Sequence, residues 1–372
     1  MKWLIMYNIV LLYSLVSMIS GYAVDKYTND ENKPDAHLIV ISAPTSQDDY
    51  YQSKYDDIIN FDIKYANSVI GKDNIVVLGD SKAIDRFKPH LPDDILFEKG
   101  MWDIWMRDPT TVNPYNPVQF RLTPASYEND QTLADNVQNF FTKCFKSLGV
   151  TFDETPKDES LFMDGGNVVD NYADKIVVTE RFMQDNKLTK DEAKEKLKRF
   201  YQGVDKVAIV PVDDPDGLAH SDGMVMFISE NVALVTNYAY NSTLRNLTLA
   251  ELKTAFPGIE LIEDADTWTP KDTSKCVGGN AACDKTIPSA CGLMVNGVLT
   301  NKYLYIPTFK KPTDQSMLNT IQSKTNQTVV PIEALGVCEM GGNVRCLSWQ
   351  LTGENAKRVI QAARNKVFTQ YC

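Results

Sequence analysis

The chain has 372 residues, of which 43% are hydrophobic and 23% are charged, and its formal net charge is −11. This composition is typical of a globular protein and excludes an intrinsically disordered chain. The acidic balance argues against a nucleic-acid partner and suits a cationic substrate, because the field of the whole protein concentrates ligands of opposite charge. Simple solubility would also account for the charge.

The first residues have the pattern of a secretory signal peptide. Lys2 provides a positive start, residues 3–19 are apolar, and the small residues that follow offer a cleavage site. We therefore expect residues 1–23 to be removed and residues 24–372 to form one domain, secreted or held in the lumen of the secretory pathway. An uncleaved signal anchor is the alternative. No later segment is apolar enough to span a bilayer, so no stable membrane association is expected after cleavage.

Short β-rich runs alternate with helical patterns along the chain. Buried strands are predicted at residues 37–42, 74–78, 94–97, 175–179, 206–211, 224–228 and 232–236, with a late hairpin of 293–299 and 303–307. Helices are predicted at residues 50–69, 131–148, 189–201, 316–323 and 354–368. The third of these helices opens with a capping-box pattern from Thr189 to Glu192. Residues 264–290 form the longest irregular segment, which we interpret as a surface loop within one α/β domain.

The chain contains seven cysteines, and an odd number in a secreted protein indicates a free thiol. Cys276, Cys283 and Cys291 fall in a Gly- and Asn-containing segment. This favours disulfides over a zinc site, because no CxxC pair or nearby histidine completes a ligand set. Cys144 lies on the apolar face of a predicted helix and is expected to be a core or disulfide cysteine. Three glycosylation sequons, which agree with secretion, begin at Asn241, Asn246 and Asn326.

One of the three histidines is a candidate general acid and base. His220 lies in a loop just before a predicted strand, and Asp222 follows two residues later. On an extended chain the two side chains would point to the same face, where a carboxylate could tune the imidazole. Asp108 and Asp164 lie in comparable segments, next to Arg107 and to the pair Gly165 and Gly166. A structural histidine, and turn or capping roles for the aspartates, are the alternatives.

Cys346 is the candidate nucleophile. It follows the glycine pair Gly341-Gly342, which allows a close backbone approach to a ligand. The adjacent Arg345 could lower the pKa of the thiol, because a nearby positive charge stabilises the thiolate. A disulfide between Cys346 and Cys338 is the alternative.

These segments together resemble the guanidine-modifying superfamily, in the branch of agmatine deiminases and Porphyromonas-type peptidylarginine deiminases. The resemblance runs from about His37 to Gln350. The matching motifs, in chain order, are Trp105-Met106-Arg107-Asp108, Asp164-Gly165-Gly166-Asn167, His220-Ser221-Asp222, an asparagine on a late strand at Asn296, and the Gly-Gly-x-x-x-Cys segment from Gly341 to Cys346.

The sequence departs from the agmatine deiminase pattern at three places. Pro109 follows the Arg-Asp pair where Gly-Pro is usual, Asp164 replaces a glutamate, and Arg345 replaces the histidine before the cysteine. With secretion, these departures favour an arginine-containing peptide or protein over agmatine as the substrate.

The resemblance implies a five-bladed α/β propeller, or pentein, of ββαβ modules, although a doubly wound sheet would give a similar pattern of elements. It implies hydrolytic deimination of a guanidinium group, with ammonia as the leaving group and without a metal or organic cofactor. The implied catalytic residues are Cys346, His220, Asp108 and Asp222. The implied substrate-binding residues are Trp105, Asp164, Asn296, Asn343 and Arg345. An agmatine deiminase, an amidinotransferase and a non-enzymatic binding protein on the same scaffold are the alternative functions, and the oligomeric state is open.

Overall fold

The structure is a computed structural model that describes residues 37–100, 103–125, 127, 129–155, 161–201, 203–213, 218–265 and 288–367. The predicted signal peptide, Cys276 and Cys283, and most of the predicted loop at 264–290 lie outside these ranges. Within them, no helix is both long enough and apolar enough to cross a membrane.

The described strands form five sheets. In chain order they are β1 (His37–Ser42), β2 (Asn74–Gly79), β3 (Leu96–Glu98), β4 (Val118–Gln119), β5 (Asp153–Glu154), β6 (Val169–Asp170), β7 (Lys175–Thr179), β8 (Lys206–Val210), β9 (Val225–Ser229), β10 (Val232–Val235), β11 (Glu260–Glu263), β12 (Val298–Leu299), β13 (Tyr303–Thr308), β14 (Thr328–Glu333) and β15 (Trp349–Thr352). The sheet orders are β15-β1-β2-β3, β4-β5, β6-β7-β8, β9-β10-β11 and β12-β13-β14.

The helices connect parallel strands, except for α8, which follows β15. They are α1 (Tyr55–Val69), α2 (Ser81–Phe87), α3 (Gln131–Ser147), α4 (Arg181–Asn186), α5 (Lys190–Phe200), α6 (Ser242–Ala255), α7 (Asp314–Gln322) and α8 (Gly353–Asn365). The predicted capping box of α5 is confirmed, since Thr189 and Glu192 each bond to the backbone of the other.

One module recurs around the molecule. The first strand of a sheet pairs antiparallel with the second, and the second pairs parallel with the third, as in β6-β7-β8, β9-β10-β11 and β12-β13-β14. A parallel pair needs a crossover connection, which a helix supplies. The strands β15, β1 and β2 repeat this pattern although β15 comes from the C-terminal part of the chain. The fold is therefore the expected pentein of ββαβ modules, closed by β15.

The core lies between the sheets and the helices that cover them. Every residue of β1 and of β2 is buried, as expected for strands covered on both faces. Phe141 and Phe145 of α3 pack edge-on against the buried Trp349 of β15, with ring centroids 4.9 and 4.7 Å away. This packing fixes the closing strand, which follows directly after the segment that carries Cys346.

The prediction of a strand at residues 293–299 is wrong for most of its length. Only Val298–Leu299 pairs with β13. The Leu293 amide bonds back to the Ala290 carbonyl, and the Met294 amide bonds to the Asp264 side chain at 2.6 Å. These bonds hold the preceding residues in turns, so Asn296 lies in a turn before a strand and not on the strand.

Candidate functional site

The motif segments lie immediately before the first strands of successive sheets. Asp164 precedes the 3-10 turn Gly165–Asn167 and strand β6, and His220 precedes the turn Ser221–Gly223 and strand β9. Asn296 precedes β12, and Cys346 precedes β15. Equivalent positions in the repeated module therefore supply the site. The expectation that Asp222 follows His220 on an extended chain is wrong, because Asp222 lies inside the 3-10 turn.

Cys346 is the free thiol among the described cysteines. Its sulfur accepts a hydrogen bond from Nδ2 of Asn296 at 3.1 Å and donates to Oδ2 of Asp222 at 3.7 Å. The alternative pairing with Cys338 is wrong, because Cys338 forms a disulfide with Cys291. The nucleophile predicted from the sequence is thus a reduced sulfur next to a carboxylate.

The Asn296 side chain organises the backbone around the thiol. Its Oδ1 accepts the amides of Asn343, Arg345 and Cys346 at 3.2, 3.1 and 3.2 Å. Its Nδ2 also donates to the Asp222 carbonyl at 3.1 Å. One buried amide therefore sets the nucleophile segment, the thiol and the turn that carries Asp222 relative to one another.

His220 is held between two carboxylates. Its Nε2 lies 3.1 Å from Oδ2 of Asp164, and its Nδ1 lies 3.7 Å from Oδ1 of Asp108. Asp164 in turn accepts the Thr123 amide at 2.9 Å and the Thr123 hydroxyl at 2.8 Å. Asp164 thus orients the imidazole, whereas the resemblance had implied a substrate-binding residue.

Burial and mutual charge shift the pKa values of His220 and of the two carboxyl groups that contact it. Burial opposes the imidazolium, but Asp108, Asp164 and Asp222 outweigh it and raise the pKa of His220 to about 9. Burial also raises the pKa of Asp164, yet the bonds from His220 and Thr123 prevail and hold it below its usual value. Burial is the main cause that raises the pKa of Asp108 to about 7, with the neighbouring carboxylates adding to it.

The thiol is neutral in the resting site. Burial, followed by the charges of Asp222 and Asp108, raises the pKa of Cys346 well above its usual value. A cation placed between Asp222 and Asp108 would offset their negative charges and so lower the pKa of the thiol. The arrangement therefore suits a cationic substrate whose own charge favours the thiolate.

Two glycines make room for the site. A Cβ on Gly166 would lie 2.4 Å from Nδ1 of His220 and 2.8 Å from Oδ1 of Asp108, which accepts the Gly166 amide at 3.1 Å. A Cβ on Gly342 would lie 2.4 Å from the Trp105 ring and 3.0 Å from Cβ of Cys346. The half-buried Trp105 therefore packs beside the segment that carries Cys346.

Two residues expected to bind the substrate tail are buried away from solvent. Asn343 is fully buried, and its Nδ2 donates to the carbonyls of Ala290 and Leu293 at 3.0 and 3.3 Å. Arg345 is 6% exposed and donates to the Val168 carbonyl. Its charge acts on Asp170 and Arg107 in the interior, so the expectation that it activates the thiol is not supported. Both residues hold the framework of the site.

Two residues of the site had no role predicted from the sequence. Thr123 bonds to Asp164, and Asn167 accepts the amides of Thr179 and Ser221 at 2.9 and 3.3 Å. Asn167 was visible within its Gly-Gly-Asn motif, whereas no pattern marks Thr123. Among the residues that the structure describes, no group of three or more His, Cys, Asp or Glu side chains is arranged to hold a metal ion.

The sequence matches the profile of the Porphyromonas-type peptidyl-arginine deiminase family over residues 28–351. The chain belongs to this family. It is therefore a hydrolase that deiminates a guanidino group, and the alternative of a non-enzymatic binding protein is dropped. A search of curated proteins finds no match.

Solved structures with similar folds have low sequence identity to this chain. The agmatine deiminase of C. jejuni with substrate bound is 16% identical, with a TM-score of 0.67 over 86% of this chain and 94% of its own. The agmatine deiminase of Enterococcus faecalis is 16% identical, with a TM-score of 0.66 over 88% and 96% of the two chains. A Porphyromonas gingivalis protein assigned as an arginine deiminase is 17% identical, with a TM-score of 0.64 over 87% and 97%. These likenesses support the pentein fold.

Proposed function

We propose that the protein deiminates peptidyl-arginine to peptidyl-citrulline and ammonia through a covalent intermediate on Cys346. The observation that carries the proposal is the convergence of a free thiol, the carboxylates of Asp222 and Asp108, and the His220–Asp164 pair. A planar guanidinium presents paired N–H groups, and two carboxylates can hold them through charge-assisted hydrogen bonds. Such a substrate would also place its positive charge next to the half-buried thiol.

In the first half of the reaction, the Cys346 thiol releases its proton to solvent as the guanidinium binds. The resulting thiolate then attacks the guanidinium carbon. The imidazolium of His220, which is charged at neutral pH, then donates its proton to the departing nitrogen. The carbon–nitrogen bond breaks, ammonia leaves, and a thiouronium joined to Cys346 remains. The Asp164 carboxylate stabilises the imidazolium before transfer and fixes its orientation.

In the second half, the neutral imidazole of His220 accepts a proton from water. The hydroxide attacks the same carbon, the carbon–sulfur bond breaks, and the thiolate of Cys346 leaves. The product carries a ureido group. Thus one histidine acts first as the acid and then as the base, and no redox step occurs.

Three sequence departures and the family match support a peptidyl substrate. The positions after Asp108, at Asp164 and at Arg345 differ from the agmatine deiminase pattern. Agmatine is the second candidate, because two of the similar solved structures are agmatine deiminases, one of them with substrate bound. An amidinotransferase, which would pass the amidino group to an amine, is the third.

The experiment compares ureido-product formation from agmatine, free arginine, and peptides with internal or C-terminal arginine. We expect product from the peptides and little from agmatine. Product from agmatine alone would replace the proposal with agmatine deimination. Product that forms only when an acceptor amine is added would indicate an amidinotransferase.

We also propose that the protein is secreted and glycosylated. The signal-like residues 1–23 and the sequons at Asn241, Asn246 and Asn326 support this. Asn241 and Asn326 are exposed, as a modified asparagine must be in the folded protein. N-terminal sequencing of protein from the culture medium, with a glycosidase mobility shift, tests both. An intact N-terminus on cell-retained protein would contradict secretion.

A further inference from the structure

A disulfide joins the two chain segments that meet at the nucleophile. Cys291 and Cys338 are linked across 47 residues of sequence. Cys291 lies shortly before Asn296, and Cys338 opens the 3-10 turn Cys338–Met340 that leads through Gly341 to Cys346. The crosslink therefore connects the segment that contains Asn296 to the segment that contains Cys346.

The two segments also share a continuous set of hydrogen bonds. Next to the crosslink, the Ala290 amide donates to the Cys338 carbonyl at 2.9 Å. Further along, Asn343 donates to the Ala290 carbonyl at 3.0 Å, and the Arg345 amide donates to the Asn296 carbonyl at 3.0 Å. The series ends at the 3.1 Å contact between Asn296 and the sulfur of Cys346. A shift of one segment against the other would therefore break this contact.

We propose that the Cys291–Cys338 disulfide is a positioning element that holds Cys346 in its reactive place against Asn296 and Asp222. The inference rests on the proposed role of Cys346 as nucleophile. Cys338 is fully buried in the largest core cluster, and Cys291 packs against the same cluster. The crosslink thus anchors the site to the core, and a misplacement of about 1 Å is enough to lower a catalytic rate substantially.

A second disulfide cysteine provides a matched control. Cys144 is disulfide-bonded and fully buried in α3, in the separate core cluster that contains Trp349. It has no described contact with Cys346, Asn296 or Asp222. A crosslink that only stabilises the fold would make Cys144→Ala and the double variant Cys291→Ala/Cys338→Ala alike.

The test measures kcat, KM and the rate at which iodoacetamide alkylates Cys346, read by peptide mass spectrometry over a range of pH. For the double variant we expect kcat to fall about 10-fold or more with little change in KM, and the pH profile of alkylation to shift. We expect Cys144→Ala to keep wild-type kcat and alkylation. Wild-type values in a folded double variant, or equal losses in the control, would overturn the inference.

Combining the double variant Cys291→Ala/Cys338→Ala with Asn296→Ala separates an effect on positioning from an effect on stability. If the disulfide acts through Asn296, the triple variant should lose little more kcat than Asn296→Ala alone, whereas independent effects would add. The alkylation profile remains informative if no guanidine is turned over. An absence of turnover would contradict the proposed function, but the alkylation profile would still report on the position of the thiol.

Reduction of the intact protein covers the case in which the double variant does not fold. A dithiol gives two electrons and two protons to the Cys291–Cys338 bond, yielding two thiols and a cyclic disulfide of the reagent. We expect kcat to fall in step with reduction of this bond, as mapped by mass spectrometry, before circular dichroism reports unfolding. Full activity with this bond reduced would overturn the inference.

Discussion

The two halves of the site are built differently. On one side, His220 lies in contact with Asp108 and Asp164, and its pKa of about 9 keeps the imidazole protonated at neutral pH. On the other side, Cys346 is held by the neutral amide of Asn296, and its thiol carries no charge. In the proposed mechanism, His220 is therefore protonated before the substrate binds, whereas the Cys346 thiol ionises only when a cation is present. This difference ties ionisation of the sulfur to the presence of a guanidinium.

Loss of the nucleophile gives the largest expected effect. Cys346→Ala should reduce ureido-product formation below detection, because no other described free thiol lies at the site. The variant should fold, as judged by circular dichroism and thermal melting, since the half-buried thiol contributes little packing. Measurable turnover by the purified variant would remove Cys346 from the mechanism.

The acid–base residue comes next. His220→Asn should lower kcat by about 10²–10⁴-fold, the usual contribution of a positioned acid or base. Steady-state kinetics with an arginine peptide measures the loss. Asp85→Asn, at an exposed surface carboxylate paired with Lys88, is the control and should change nothing. A fall of less than tenfold for His220→Asn would assign the proton transfers to another group.

Asp222→Asn should lower turnover but raise the rate at which Cys346 is alkylated. Turnover should fall by about 10²-fold, because one of the carboxylates that hold the guanidinium is lost. Alkylation of Cys346 by neutral iodoacetamide should become faster at a given pH, because the Asp222 charge helps to raise the pKa of the thiol. Slower alkylation in this variant would contradict the electrostatic account of the resting thiol.

A change of pH tests the same comparison without a substitution. Below about pH 7, the Asp108 carboxyl is protonated and attracts the guanidinium less strongly than the carboxylate does. Between about pH 7 and pH 9, the resting site holds the Cys346 thiol and the His220 imidazolium. This state carries one proton more than the reactive state, in which the thiolate and the imidazolium occur together. The value of kcat/KM should therefore rise about tenfold per pH unit and level off near 9, when His220 titrates. A maximum near pH 6 would show that the thiol is ionised at rest.

Motif order in the sequence was enough to predict the residues that meet at the site. Cys346 contacts Asn296 and Asp222, and His220 contacts Asp164 and Asp108. The roles of Asn343 and Arg345 could not be predicted, since adjacency to a nucleophile does not fix where a side chain points. Their amides face Asn296, while their side chains bond to main-chain carbonyls in the interior.

The fold was predicted where elements are long or fully apolar, as for β1, β2 and α3. Several strands of the recurring module could not be seen because they are only two residues long, as in β4, β5 and β6. Strand β14 contains Pro331, which usually speaks against a strand, and its alternating exposure weakens the apolar signal. The Cys291–Cys338 pairing depends on tertiary packing that spacing alone does not reveal.

The most direct test of covalent deimination at Cys346 is an acid-quenched single turnover with an arginine peptide, followed by mass analysis of the Cys346 peptide. The account predicts a transient adduct with the mass of the thiouronium, which forms before citrulline and decays as citrulline accumulates. Citrulline that forms at the full rate with no adduct at any time, together with an active Cys346→Ala variant, would contradict it.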